Sequence, residues 1–77
     1  MAIIRSLKQT AQDVARHRTE VDATFQVLAD SDGRLFQLST YGSDQRASHP
    51  KVSQTIQLDR ARATELVAAL REAFPGI

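Results

Sequence analysis

Cysteine and tryptophan are absent from this 77-residue chain, and three glycines, two prolines, three phenylalanines and one tyrosine are all it has of those types. Without cysteine there is no disulfide staple and no thiolate metal site. With the glycines scattered at Gly33, Gly42 and Gly76, no loop can wrap a phosphate in backbone amides. No apolar run approaches the roughly 18 residues of a membrane span, and the first residues lack the apolar stretch and small-residue cleavage site of a secretory leader. These absences point to a soluble, cytoplasmic protein. Ten Lys plus Arg against nine Asp plus Glu leave a formal net charge of +1, which argues against a polybasic grip on duplex DNA and against an acidic solvating tail. A chain this short forms one domain and buries only about 60% of the surface its unfolded form exposes. Self-association is the remaining way to enlarge the core, so a homodimer is expected before any motif is read.

What is present is periodicity. From Ile3 to about Arg18, Ile3, Ile4, Leu7, Ala11, Val14 and Ala15 recur at intervals of three and four with charged and amide residues between them, predicting an amphipathic helix over 1–20. Two of its six apolar places are alanine, so this helix needs a docking surface on its own sheet, on a second subunit or on a partner. A mild basic bias accompanies it, from Arg5, Lys8, Arg16 and Arg18 against Asp13 and Glu20.

Between Val21 and Asp30 the period becomes two, predicting a strand with one apolar face. Asp30-Ser31-Asp32-Gly33 is a tight-turn composition, and Gly33 can supply positive φ. A second strand follows from about Arg34. Phe36 and Leu38 join Ala23, Phe25 and Val27 in the core, leaving Thr24, Gln26, Gln37, Ser39 and Tyr41 on the opposite face, which Leu28 and Leu35 interrupt. Gly42 to Pro50 reads as a loop. From Lys51 to Leu58 alternation resumes, with Val52, Gln54, Ile56 and Leu58 inward and Lys51, Ser53, Thr55 and Gln57 outward. Asp59 is placed to cap a helix that runs to about Phe74 and stops at Pro75-Gly76. The expected fold is α+β: an N-terminal helix, a three- to four-stranded antiparallel meander over 21–58, and a C-terminal helix over 59–74.

Catalytic chemistry has no visible constellation. His17 and His49 stand far apart in the chain, and no serine or threonine is tied to a base and an orienting group. His49 with Asp44, or His17 with Asp13, supplies two metal ligands where zinc wants three or four. The Asp30 to Gly33 turn lacks the other ligands of a calcium loop. The chain is therefore read as non-enzymatic, with no cofactor and no metal.

Nucleic-acid binding has several supports. A single strand is held by a platform of stackable rings, polar groups and a few cations, and Tyr41, Gln37, Ser39, Arg46, Lys51, Ser53, Thr55 and Gln57 can form one. The plainer alternative is the wet side of a one-sided antiparallel sheet.

The stretch from about Val27 to Phe74 resembles the single-stranded-DNA-binding domain of the positive cofactor four family of transcriptional coactivators. The turn and strand Asp32-Gly33-Arg34-Leu35-Phe36-Gln37-Leu38, the strand end Ser39-Thr40-Tyr41-Gly42-Ser43-Asp44, and the passage Ser53-Gln54-Thr55-Ile56-Gln57-Leu58-Asp59 running into Glu65-Leu66 carry the resemblance. It implies a curved antiparallel sheet followed by a long helix, dimers formed through the helices, and single-stranded or melted DNA bound on the sheets. By it, Arg34, Tyr41, Arg46 and Lys51 would contact bases and phosphates. The chain departs from the family where a second aromatic is usual near Tyr41 and a lysine-glycine pair is usual before the last strand. Those places hold Gly42, Gln54 and Thr55.

The resulting expectation is a non-catalytic, dimeric, single-stranded-DNA-binding domain with weak, salt-sensitive and sequence-tolerant binding, of use in transcription or DNA maintenance. The alternative is a protein-interaction module or accessory subunit, with Ile4, Leu7 and Val14 exposed for a partner.

Overall fold

The computed structural model describes residues 1–42 and 51–77. Four strands and one helix follow in chain order: β1 (Ala2–Ile3), β2 (Ala23–Asp30), β3 (Gly33–Tyr41), β4 (Val52–Leu58) and α1 (Arg60–Ala73). They form one sheet in the order β1-β4-β3-β2.

The meander β2-β3-β4 is antiparallel and has the faces that the alternation requires. Phe25 lies opposite Leu38 and Val27 opposite Phe36, while Leu38 and Phe36 in turn oppose Ile56 and Leu58. Opposed residues share a face, so these side chains make one apolar surface. The rings of Phe25 and Phe36 stack on it with centroids 5.5 Å apart. The β2–β3 turn is locally encoded. The Asp32 amide donates to the Asp30 carboxylate at 2.9 Å, and Gly33 has φ +127°, where a side chain would be strained.

Two expectations are overturned. The first is the N-terminal helix. Ala2 and Ile3 instead pair in parallel with Ile56 and Gln57, so the sheet is mixed and not purely antiparallel. The Ile4 amide adds a bond to the Gln57 carbonyl at 2.9 Å, and no helix or strand forms between residues 4 and 22. The reason lies in residue type. β-branched Ile3 and Ile4 suit an edge strand, while Thr10, Asp13, Val14, His17 and Thr19 weaken a helix whose apolar stripe is already thin. Pairing of Ala2 and Ile3 with β4, the Ile4 amide bond and a bond from Arg62 Nη1 to the Arg5 carbonyl draw this end of the chain onto β4 and α1. The expected Asp13–His17 helical pair has no helix to sit on, and His17 Nδ1 accepts from the Thr19 amide at 3.1 Å.

The second correction concerns β4. Thr40 opposes Gln54 but Tyr41 opposes Val52, so Ser53 is an extra residue, a bulge. Below the bulge the alternation changes hand, and Val52, expected inward, comes beside Tyr41 on the polar face.

Asp59 caps α1 as expected, accepting from the Arg62 amide at 2.8 Å. Arg62 also pairs with Glu65 at 2.6 Å. At the start of α1, Asp59, Arg60 and Ala63 line a hollow of about 250 Å3 together with Val27, Arg34, Leu35, Phe36 and Leu58 of the sheet.

The chain buries little of itself. Leu58, 4% exposed, is the one buried apolar residue among those described, while Phe25 and Val27 are 71% and 63% exposed. The accessible surface is 7371 Å2, about 2,700 Å2 more than the roughly 4,650 Å2 of a compact folded chain of this mass. The radius of gyration, 14.8 Å, likewise exceeds the roughly 11.5 Å of a compact chain of this length.

Candidate nucleic-acid interface

The polar face is built in rows that run across the strands. Thr24, Ser39 and Thr55 lie side by side on β2, β3 and β4, and so do Gln26, Gln37 and Gln57. With strands about 4.8 Å apart, each row spans roughly 10 Å. One row is all hydroxyl and the next all amide.

Side chains within the rows bond to one another. Ser39 Oγ and Thr55 Oγ1 are 3.0 Å apart and buried, each residue 6% exposed. Gln57 Nε2 donates to Gln37 Oε1 at 2.9 Å. The Tyr41 hydroxyl meets Thr24 Oγ1 at 2.9 Å, which tilts the ring toward β2. These bonds do not exhaust the groups. Among the described residues the Gln37 amide keeps both N–H donors and Gln57 its carbonyl oxygen, so the amide row offers donors and acceptors together. Thr24, Gln26, Gln37, Ser39, Tyr41 and Val52 line a shallow hollow of about 230 Å3. That is below the roughly 300 to 1,000 Å3 of an enclosing small-molecule site, and suits a flat group laid against the sheet.

The expected site residues divide. Gln37, Ser39, Tyr41 and Gln57 come together on this face, joined by Thr24, Gln26 and Thr55. Ser53 is the bulge residue. Lys51 is exposed at the rim, its carbonyl accepting from the Gly42 amide at 3.2 Å. Arg34 opposes Ala29 and so lies with Phe36 and Leu38 on the apolar face, away from the rest. Arg46, with most of the expected loop, lies outside the described residues. Among the described strand residues the face consequently carries no cation: Asp30 stands on the same side of β2 at its hairpin end, and Lys51 is at the edge. Leu28, Leu35 and Ile3 bound it on the remaining sides.

The amide and hydroxyl rows as rows were missed by reading strands singly. The signal lay in Thr24/Gln26, Ser39/Gln37 and Thr55/Gln57, each a polar pair at i and i+2. Only pairing brings them into line.

Among the described residues no three His, Asp or Glu side chains converge on a point where a metal ion would sit. Among them, too, no helix is long and apolar enough to cross a membrane. No known protein family matches the chain, and neither does any curated protein or solved structure.

Proposed function

We propose that the chain is a non-catalytic domain that binds single-stranded nucleic acid, DNA by the resemblance of its strands, on the polar face of the sheet. The observation that carries this is the pair of in-register rows beside Tyr41. Unpaired bases expose donor and acceptor edges and two flat faces. Glutamine amides match the edges, adenine above all, and a tyrosine ring can take a face. A duplex hides both, so the unpaired strand is preferred. Lys51 at the rim serves a phosphate. The absence of cysteine fits the reducing cytoplasm, which is the compartment proposed.

The test is a fluorescence-anisotropy titration with a labelled strand of about 20 nucleotides and with its duplex, at several salt concentrations. The single strand should bind more tightly. With Arg34 turned to the other face, few phosphates are neutralised, and each contributes only about −0.7 to the slope of log K against log salt on a single strand. The slope should therefore be shallower than the strand composition alone implies. Tyr41→Ala and Gln37→Ala should each weaken binding, Tyr41→Ala by about 1 to 3 kcal/mol, with the circular dichroism unchanged. Absence of binding at low salt, or equal affinity for the duplex, refutes the proposal.

A second reading, an interaction module, is favoured by one observation of its own: the sheet's other face is apolar and open. Of the residues first expected to meet a partner, Val14 is exposed, whereas Ile4 and Leu7 are half-buried.

A further inference from the structure

The sheet has two edges, and the chain treats them differently. The outer edge of β4 is covered by β1, through the pairing of Ala2 and Ile3 and the Ile4 amide bond. β2, at the other end of the strand order, has no outer neighbour among the described residues. Which of its backbone groups stand open follows from register. The Tyr41 amide donates to the Asp22 carbonyl at 3.0 Å, and bonded pairs alternate along an antiparallel ladder. Thr24, Gln26, Leu28 and Asp30 are therefore bonded to β3, while the N–H and C=O groups of Ala23, Phe25, Val27 and Ala29 point outward.

An edge of this kind is usually guarded by lysine, proline, a bulge or shortness. β2 has none of these. It is 8 residues long and contains neither lysine nor proline, against a usual length of about five or six, and it pairs with β3 in unbroken register. Its charges are at its ends. Asp22 and Asp30, both exposed, stand on the polar side about 27 Å apart, at about 3.4 Å per residue. The one cation of the described strands, Arg34, lies on β3 and on the opposite side.

We propose that β2 accepts an extended segment of another protein as an added antiparallel strand, the mode in which backbone bonds hold a peptide and alternate side chains select it. Register states what that segment carries. Opposed residues share a face, so its apolar side chains lie beside Phe25 and Val27 and its polar ones beside Thr24 and Gln26. A lysine or arginine stands opposite Asp22 and another opposite Asp30. The same carboxylates disfavour a second copy of β2. Paired antiparallel with itself along its full length, it would set Asp22 against Asp30 at both ends, and like charges directly opposite are destabilising. The inference gives the interaction reading above a partner of defined chemistry, and rests on the edge of the sheet and on neither face.

The probe is the synthetic peptide Lys-Val-Thr-Val-Gln-Val-Thr-Val-Lys, blocked at both ends and N-methylated on its glutamine and threonines. Those amides point away from β2, so the methyl groups stop the peptide from pairing with itself and leave its docking edge intact. Amide hydrogen exchange followed by NMR should be fast at Ala23, Phe25, Val27 and Ala29 in the free chain, and about tenfold slower or more with saturating peptide. Moving the methyl groups to the valines should abolish the slowing. Glutamate in place of the peptide's lysines should weaken binding, and so should Asp22→Asn in the chain, by about two- to fivefold. Val27→Pro removes an outward donor, at a place where an edge strand tolerates proline, and should abolish the slowing with circular dichroism unchanged. No slowing with the probe overturns the inference. Equal slowing by the valine-methylated peptide does so too, since it would place the peptide on the apolar face. Protection of the four amides that needs no peptide and grows with chain concentration also overturns it, by making the partner a second copy. A chain that binds the labelled single strand and not the peptide refutes only this inference, and the reverse refutes only the nucleic-acid reading.

Discussion

Removing the hydroxyl pair at the centre of the polar face tests whether that face is held together by its own side chains. Ser39 Oγ and Thr55 Oγ1 are 3.0 Å apart on residues that are each 6% exposed, so neither can exchange its partner freely for water. Ser39→Ala or Thr55→Val alone leaves one hydroxyl stranded, at a cost of about 1 to 3 kcal/mol. Taking about 1.5 kcal/mol for each, independent effects would sum to about 3 kcal/mol. The double variant has no stranded group, and replacing both partners by apolar groups of similar shape is nearly neutral. A cost of about 1 kcal/mol for the double leaves it about 2 kcal/mol short of additive, within the range of contacting residues. Urea unfolding followed by far-ultraviolet circular dichroism measures all four proteins, at one chain concentration because an associating chain gains stability by mass action. Additivity within about 0.5 kcal/mol would refute the reasoning, since it would mean that water satisfies the hydroxyls singly.

Other predictions concern the ends of elements. Asp59→Ala removes the carboxylate that accepts from the Arg62 amide, and should lower stability by about 1 kcal/mol with loss of helical ellipticity. Asp59→Asn should largely restore both. Gly33→Ala places a side chain at φ +127° and should destabilise by more than about 1 kcal/mol, read as a lower urea midpoint. No atom lies within 4 Å of the added Cβ, so that cost is backbone strain and not a clash. An unchanged midpoint would show that the turn relaxes.

Most of the antiparallel meander was legible because each strand has one apolar and one polar side. Phe25, Val27, Phe36 and Leu38 alternate without interruption, and the Asp30 to Gly33 turn fixes how they pair. Asp59 followed by a helical stripe was equally plain. The N-terminal strand was not, because two residues are too few to show a period. The stretch around it happened to space apolar residues by threes and fours, and nothing local reveals that Ile4 will find a carbonyl on β4. The bulge escaped for a related reason. One unpaired residue at Ser53 exchanges the sides of Val52 and its neighbours, and an alternating pattern contains no mark of where it slips. Periodicity also tells which face is apolar without telling what covers it. That is why Phe25 and Val27 were expected to be interior and instead stand exposed on the single chain.

The parallel strand β1 has a consequence for the order of folding. Its partner residues Ile56 and Gln57 lie 54 positions later in the sequence, whereas β2 and β3 are joined by a tight turn. A hairpin of that kind forms in about 1 to 10 μs, but closing a loop that spans about two-thirds of the chain must wait for its enclosed segments to settle. β1 is thus the last strand to arrive and, held by only two residue pairs, the first to leave. Hydrogen exchange at the Ile4 amide, which bonds to the Gln57 carbonyl, should outpace exchange within the β2–β3 hairpin. The outer edge of β4 is then briefly unpaired whenever β1 lifts away, while the rest of the sheet stays formed.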